Sequence, residues 1–300
     1  MTLELDVTPD LDNPADADRV LGLPGALNLR DVGGYPAAGG RRVRRRTLLR
    51  SAAMHGLGDE ARAALAQIPV RTVVDLREDT EVAREPNALG RLPITTIRMP
   101  LYSSGSPLPS AATPGTATGA ATGEAGENAP GTGAAAAEGV RAAQAAGLEM
   151  DLAAIYDFIL GNRGDRLAAA VLALAEPGAL PAIVHCSAGK DRTGLTIMLV
   201  LDLLGVPDEV IVRDYALTAE LLHDEAIAAL RRLTAVTSRG GDARRLPAGL
   251  MAAPPELIRA ALERVRASHG GARGYLLAHG ATAERLDALA EALLVADDLS

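Results

Sequence analysis

The stretch "PAIVHCSAGKDRTGLTIMLVLDLLG", residues 181–205, constrains this chain more than any other part of it. It begins as a short apolar run with β-branched residues, bounded by Pro181, and reads as a buried strand that ends at Cys186. From Thr193 the apolar residues follow helical spacing. Gly189 and Gly194 supply permissive backbone between the two elements. A strand, a tight loop and a helix N-terminus in succession can aim several backbone N–H groups into one concavity, where the helix dipole favours an anion. Cys186 lies at the mouth of that concavity beside Lys190 and Arg192, surroundings that favour the nucleophilic thiolate form.

Two common phosphate loops do not fit. A Walker A loop needs GxxxxGK[ST], but Val184 stands five residues before Gly189 and Asp191 follows Lys190. A GxGxxG fingerprint is absent after "RTVVDL" (71–76) and after "PAIVHC" (181–186). What remains is Cys186, five intervening residues, Arg192 and Thr193. That spacing wraps a loop once around a tetrahedral phosphate, with Cys186 below the phosphorus and Arg192 offering a two-pronged donor to its oxygens.

These residues resemble a known family. "HCSAGKDRTG" matches the HCxxGxxRTG loop of protein tyrosine phosphatases, and its "GKDRTG" form is similar to the bacterial protein tyrosine/serine phosphatases, some of which also act on phosphoinositides. "NLRDVGGY" (28–35), "LLRSAAM" (48–54), "VVDLREDTEV" (73–82) and "DYALT" (214–218) resemble that family's other blocks in the same order, from about residue 24 to the C-terminus without 103–147. The resemblance implies an α/β fold with a tyrosine-phosphatase-like central sheet flanked by helices, and a helical C-terminal part. It implies that Cys186 attacks phosphorus to give a phosphocysteine intermediate that water hydrolyses. Arg192 and the backbone of Ser187, Ala188, Gly189 and Lys190 would bind the phosphoryl oxygens, and Thr193 would hydrogen-bond the thiolate. The substrate would be a phosphorylated protein, at tyrosine or also at serine and threonine, or a phosphoinositide.

The leaving group needs a proton. Many tyrosine phosphatases supply it from an Asp on a Trp-Pro-Asp loop, and this chain has no Trp. Asp191 is the expected general acid by the resemblance, with Asp75, whose strand end would bring it to the same mouth as a substrate contact, as its rival and another carboxylate or water as further alternatives; the adjacent Lys190 and Arg192 oppose protonation of Asp191. His185 precedes the nucleophile on a strand, faces the other side and is expected to brace the loop. Lys190 either adds to the loop's positive charge or contacts a second phosphate on an inositol ring. Arg30 either contacts substrate or belongs to a structural hairpin with "GGY" as its turn, and Asp31 either holds Arg192 or holds a loop.

Two readings from other classes are weaker. A silent phospho-binding module would not need both Cys186 and Arg192. A rhodanese-like sulfur transferase has no reason to carry Arg192-Thr193-Gly194 at this spacing.

A formal charge of -8 and an isoelectric point near 5.2 argue against a nucleic-acid or anionic-membrane partner. The six arginines within 41–50 are the local exception and read as a solvated hairpin or, less favoured, as a phospholipid-facing surface. One cysteine excludes a disulfide framework and a cysteine-based zinc site, and it fits a reducing compartment. The acidic N-terminus lacks the pattern of an export signal, which points to the cytoplasm while leaving signal-independent export open. His55, His223, His269 and His279 show no metal-ligand spacing, so neither metal nor other cofactor is expected.

Residues 1–300 read as a single phosphatase domain with one foreign segment. In 103–147, Ala, Gly, Thr, Ser and Pro fill 37 of 45 positions, too little apolar surface to offset the entropy of ordering. It reads as a disordered insertion, with a short helix over 134–146 and a mobile lid as the sharper alternative to a tolerated insert. Helical spacing is expected over 58–68, 148–160, 165–175 and 193–205, and everything from Pro207 onward reads as helix.

Overall fold

The computed structural model describes residues 18–102, 152–237 and 252–297, with side chains of the long helix described up to Leu222. The low-complexity segment 103–147, its short helix and its lid reading lie outside the described residues.

A five-stranded sheet is ordered β1 (Arg30–Asp31), β4 (Leu48–Ser51), β7 (Ala182–His185), β5 (Thr72–Asp75), β6 (Thr95–Arg98). The last four run parallel and β1 is antiparallel to β4. Parallel strands need both faces covered, so the central strand should be apolar throughout, and every residue of β7 is indeed buried. Successive side chains of a strand point to opposite faces. Ala182 and Val184 pack into a large core with α5 (Asp191–Leu203) and α4 (Gly164–Leu174), whereas Ile183 packs with Leu49, Val73 and Leu65 of α1 (Asp59–Leu65) on the other side. α2 (Asp79–Arg84) follows β5, and α3 (Leu152–Asn162) precedes α4.

The C-terminal helices α6 (Asp208–Thr237), α7 (Pro255–His269) and α8 (Ala272–Ala278) lie against α5, and α9 (Ala283–Leu293) lies against α4, so none of them stands apart. Ile258, Leu262, Tyr275, Leu276 and Leu286 join the same apolar cluster as Ile197 and Leu201. α5 thus lies between the sheet and the C-terminal helices, which explains why Thr193–Leu201 is buried on all sides.

Two sequence expectations are corrected. The chain is not helical to its end: β8 (Leu294–Ala296) pairs antiparallel with β3 (Arg41–Val43), which forms a hairpin with β2 (Pro36–Ala37). The open edge of β3 offers backbone partners that a short apolar run takes up, overriding its helical spacing. The hairpin's turn is Ala38–Gly40, with Gly39 and Gly40 in the left-handed region, and not "GGY". Two of the patch's six arginines are paired by the same C-terminal segment, since Arg41 meets Glu291 and Arg42 meets Asp297, each at 2.7 Å.

Candidate active site

The loop after β7 turns directly into α5, whose first residue is Asp191, two residues earlier than the apolar spacing implies. Asp191, Arg192 and Thr193 therefore share its first turn. Gly189 has φ +67, and a Cβ there would sit 2.2 Å from the Ser51 carbonyl oxygen of β4, so only glycine lets the loop lie this close to the neighbouring strand. Cys186 is 3% exposed and Arg192 8%, so both are buried.

The sequence reading missed what holds Arg192. Glu81, on α2, accepts from Arg192 Nη1 at 2.6 Å and Nη2 at 2.7 Å, and also from the Ser187 hydroxyl. Burial alone would raise the Glu81 carboxyl, but these donors and the Glu78 N–H outweigh it and hold the group at about 2. Glu81 also closes the capping box that starts α2, so in sequence it carries only a helix-start signal. The Tyr102 ring lies 5.2 Å from the guanidinium carbon of Arg192.

Asp191 has a partner of a different kind. Tyr156 of α3 donates its hydroxyl to Asp191 Oδ1 at 3.0 Å and lies 2.7 Å from the Tyr215 hydroxyl of α6. Burial pushes both phenols well above their ordinary range, with the Asp191 charge adding to it. The loop is thus bordered by three of the chain's five tyrosines, Tyr102, Tyr156 and Tyr215.

A sequence model of the tyrosine phosphatase family matches residues 21–295, nearly the whole chain. The chain belongs to the tyrosine phosphatase family. It is 28% identical over 273 residues to the triple specificity protein phosphatase PtpB of Mycobacterium tuberculosis, which covers 85% of this chain and 91% of that one. It is 34% identical over 120 residues to a tyrosine-protein phosphatase of Nostoc commune, covering 39% of this chain and 40% of the relative. A crystal structure of P. aeruginosa TpbA in complex with phosphotyrosine aligns at 18% identity over 69% of this chain and 88% of that one, with a TM-score of 0.27.

In this tyrosine phosphatase the remaining expected site residues divide. Thr193 is fully buried beside the loop, and its hydroxyl has no hydrogen-bond partner among the described residues. The Lys190 ammonium is buried, bonds the Ala252 carbonyl at 3.0 Å and lies 3.7 Å from Asp191. Arg30, expected either as a substrate contact or as a structural residue, is fully buried and grips the Asp214 carboxylate at 3.1 Å, because β1 points it inward toward α6. Asp75, expected as a substrate contact or rival acid, is corrected. Its carboxylate is enclosed by Arg77, which donates to Oδ1 at 3.0 Å and Oδ2 at 2.9 Å, and it is 1% exposed. Burial opposes ionisation of Asp75, yet the Arg77 bonds prevail and keep it below the usual carboxylate range, the wrong direction for a proton donor. Asp31 accepts from the Gly33 and Arg46 N–H groups, so it holds a loop and not Arg192.

His185 is fully buried on the opposite face of β7 from Cys186's core. Its Nδ1 lies 3.0 Å from the Cys186 carbonyl and its Nε2 3.0 Å from Asn87 Nδ2. Among the described residues, no group of three or more His, Cys, Asp or Glu could hold a metal, and no helix is long and apolar enough to cross a membrane.

Proposed function

We propose that Cys186, Arg192 and Asp191 carry phosphotyrosine hydrolysis in two displacements. In the first, the Cys186 thiolate forms an S–P bond as the P–O bond to tyrosine breaks, and Asp191 gives its proton to the leaving phenoxide. In the second, water attacks phosphorus, its proton passes to the Asp191 carboxylate, and the S–P bond breaks to release inorganic phosphate and restore the thiolate. Arg192 binds the equatorial oxygens, where charge concentrates in both transition states. The observation that supports this most is the crowding of Cys186, Arg192 and Asp191 onto one loop and one helix turn.

The substrate is proposed as a phosphorylated protein, at tyrosine first and at serine or threonine second; the latter takes its support from the mycobacterial relative, named for triple specificity. Phosphoinositide hydrolysis has less support, because the ammonium of Lys190 is turned to the Ala252 carbonyl and not outward. A reducing cytoplasm suits a thiol nucleophile with no second cysteine in the chain.

The test is a side-by-side assay of phosphotyrosine peptide, phosphoserine peptide and a phosphoinositide, without added metal, for the parent and for Cys186→Ser. The parent should turn over the phosphotyrosine peptide fastest and the variant none of the three. Retained turnover in Cys186→Ser would sink the mechanism, and a faster phosphoinositide reaction would sink the substrate assignment.

A further inference from the structure

Four successive carbonyls of the loop are tied from outside it. The Cys186 oxygen meets His185 Nδ1 at 3.0 Å, and the Ser187 oxygen accepts from the Ala53 N–H at 2.9 Å. The Ala188 oxygen accepts from Asn28 Nδ2 at 3.1 Å. The Gly189 oxygen accepts twice, from Asn28 Nδ2 at 3.0 Å and from Arg50 Nη2 at 2.7 Å. Among the described residues the one cis peptide is Leu180–Pro181, so these loop peptides are trans and each N–H points opposite to the preceding carbonyl. Anchoring the carbonyls outward therefore turns the N–H groups of Ser187, Ala188, Gly189 and Lys190 inward.

The two anchors on Ala188 and Gly189 belong to one closed circuit. Asn28, held at φ +56, spends both amide hydrogens on the loop and receives Arg30 Nη1 on its side-chain oxygen. Arg30 donates Nε to Asp214 Oδ1 at 3.1 Å and Nη2 to the Asp214 carbonyl at 2.6 Å. Asp214 Oδ2 accepts Arg50 Nη1 at 2.6 Å, and Arg50 returns to the Gly189 carbonyl. Asn28, Arg30, Arg50 and Asp214 are all buried. These residues come from "NLRD", "LLRS" and "DYALT", three blocks that the proposed chemistry leaves without a role.

The charge balance also needs an explanation. Two guanidiniums share one carboxylate, and Asp214 is held ionised far below its ordinary range: burial would raise it, but both arginines outweigh that. Among the described residues the cluster therefore carries one surplus positive charge in a buried place, an arrangement that is costly for stability alone. A phosphoryl dianion on the other side of the Gly189 peptide would offset it.

We propose that Asn28, Arg50 and Asp214 are positioning residues for phosphoryl binding: they aim the Gly189 and Lys190 N–H groups and set one uncompensated cation behind the bound phosphate. The proposal rests on the reading of Cys186–Arg192 as the phosphoryl site. Arg30 supports the circuit by fixing both Asn28 and Asp214.

The test uses Asn28→Gly, which tolerates the left-handed backbone and removes both donors, and Arg50→Lys, which keeps the charge and loses the fork. Tungstate affinity is measured by calorimetry in a Cys186→Ser background, where no turnover intervenes, and kcat and KM for p-nitrophenyl phosphate are measured with Cys186 present. All are compared below each variant's unfolding temperature. Misaiming oxyanion donors should weaken tungstate about tenfold and lower kcat/KM by about tenfold to a hundredfold in both variants. A purely structural role would lower the unfolding temperature and leave the tungstate affinity of the folded protein alone. Tungstate affinities within about twofold of the parent in both variants would overturn the circuit. If Asn28→Gly does not fold, Arg50→Lys decides. Turnover retained in Cys186→Ser alone would instead remove the phosphoryl-site reading, which keeps the two failures apart.

Discussion

Glu81 and Arg192 meet in a two-pronged ion pair, Oε2 to Nη1 at 2.6 Å and Oε1 to Nη2 at 2.7 Å. The pair fixes the plane of the guanidinium and leaves its Nε edge turned away from Glu81, the edge that would meet phosphate oxygens in the proposed mechanism, so a residue 111 positions away decides how the loop's arginine is presented. The same carboxylate receives the Ser187 hydroxyl, which ties the start of the loop to its end.

Glu81→Gln keeps the shape and removes the charge. We expect kcat/KM to fall about tenfold, mostly through kcat, because Arg192 would lose its fixed orientation more than its charge. Steady-state kinetics on an aryl phosphate check this, and parent-like kcat and KM would show that Arg192 holds its place unaided. The pH sign is fixed as well. The folded Glu81 carboxyl lies at about 2, below its ordinary 4.5. Its pairing therefore stabilises the fold above about 4.5, and that contribution is lost as the pH falls toward about 2.

The contrast between Cys186 and Glu81 shows what the sequence could carry. Cys186, Asp191, Arg192 and Thr193 lie within eight consecutive residues, where spacing and geometry are nearly the same thing. Glu81 and Tyr156 reach the loop from other elements and Asp214 acts on it through Arg50, and each has an ordinary local explanation as helix cap, helix core or helix polar residue. The burial of Arg30 and Asp75 is hard to read from sequence for a related reason. A charged residue at a strand end can face substrate or be paired and buried, and the pairing partners, Asp214 and Arg77, are set by packing. The β8 segment was hidden because a short apolar run fits either period and the open edge of β3 decides between them.

His185 should make the fold acid-sensitive. Burial lowers its pKa from 6.5 to about 4, against the pull of Asp75 3.6 Å away and the Cys186 carbonyl, with Arg77 and Arg192 adding to the lowering. The ring is thus neutral at pH 7, with Nδ1–H donating to the Cys186 carbonyl and Nε2 accepting from Asn87. Between about 6.5 and about 4 the unfolded chain binds a proton that the folded chain refuses, so stability falls as the pH drops through that window. The loss is at most about 3 kcal/mol. His185→Gln should flatten this part of a plot of unfolding temperature against pH, and an unchanged slope would place the acid sensitivity in another group.

Tyr156 bears on how Asp191, the proposed general acid, would donate a proton with Lys190 3.7 Å away. The hydroxyl donates to Asp191 Oδ1 at 3.0 Å, which favours Oδ2 as the oxygen that carries a proton, and the Tyr215 hydroxyl at 2.7 Å keeps Tyr156 in place. The hydrogen bond thus selects which oxygen donates and fixes where it points. Asp191→Asn should slow phosphoserine, a poor leaving group, by at least about a hundredfold while slowing p-nitrophenyl phosphate far less, since general acid catalysis supplies about 10²- to 10⁴-fold where the leaving group needs its proton. Tyr156→Phe should show the same discrimination at roughly a tenth of the size, because it disturbs the acid's aim and leaves the acid present. Equal losses on both substrates would make Tyr156 a packing residue. A basic limb in the kcat profile that survives in Asp191→Asn would take the general acid away from Asp191 altogether.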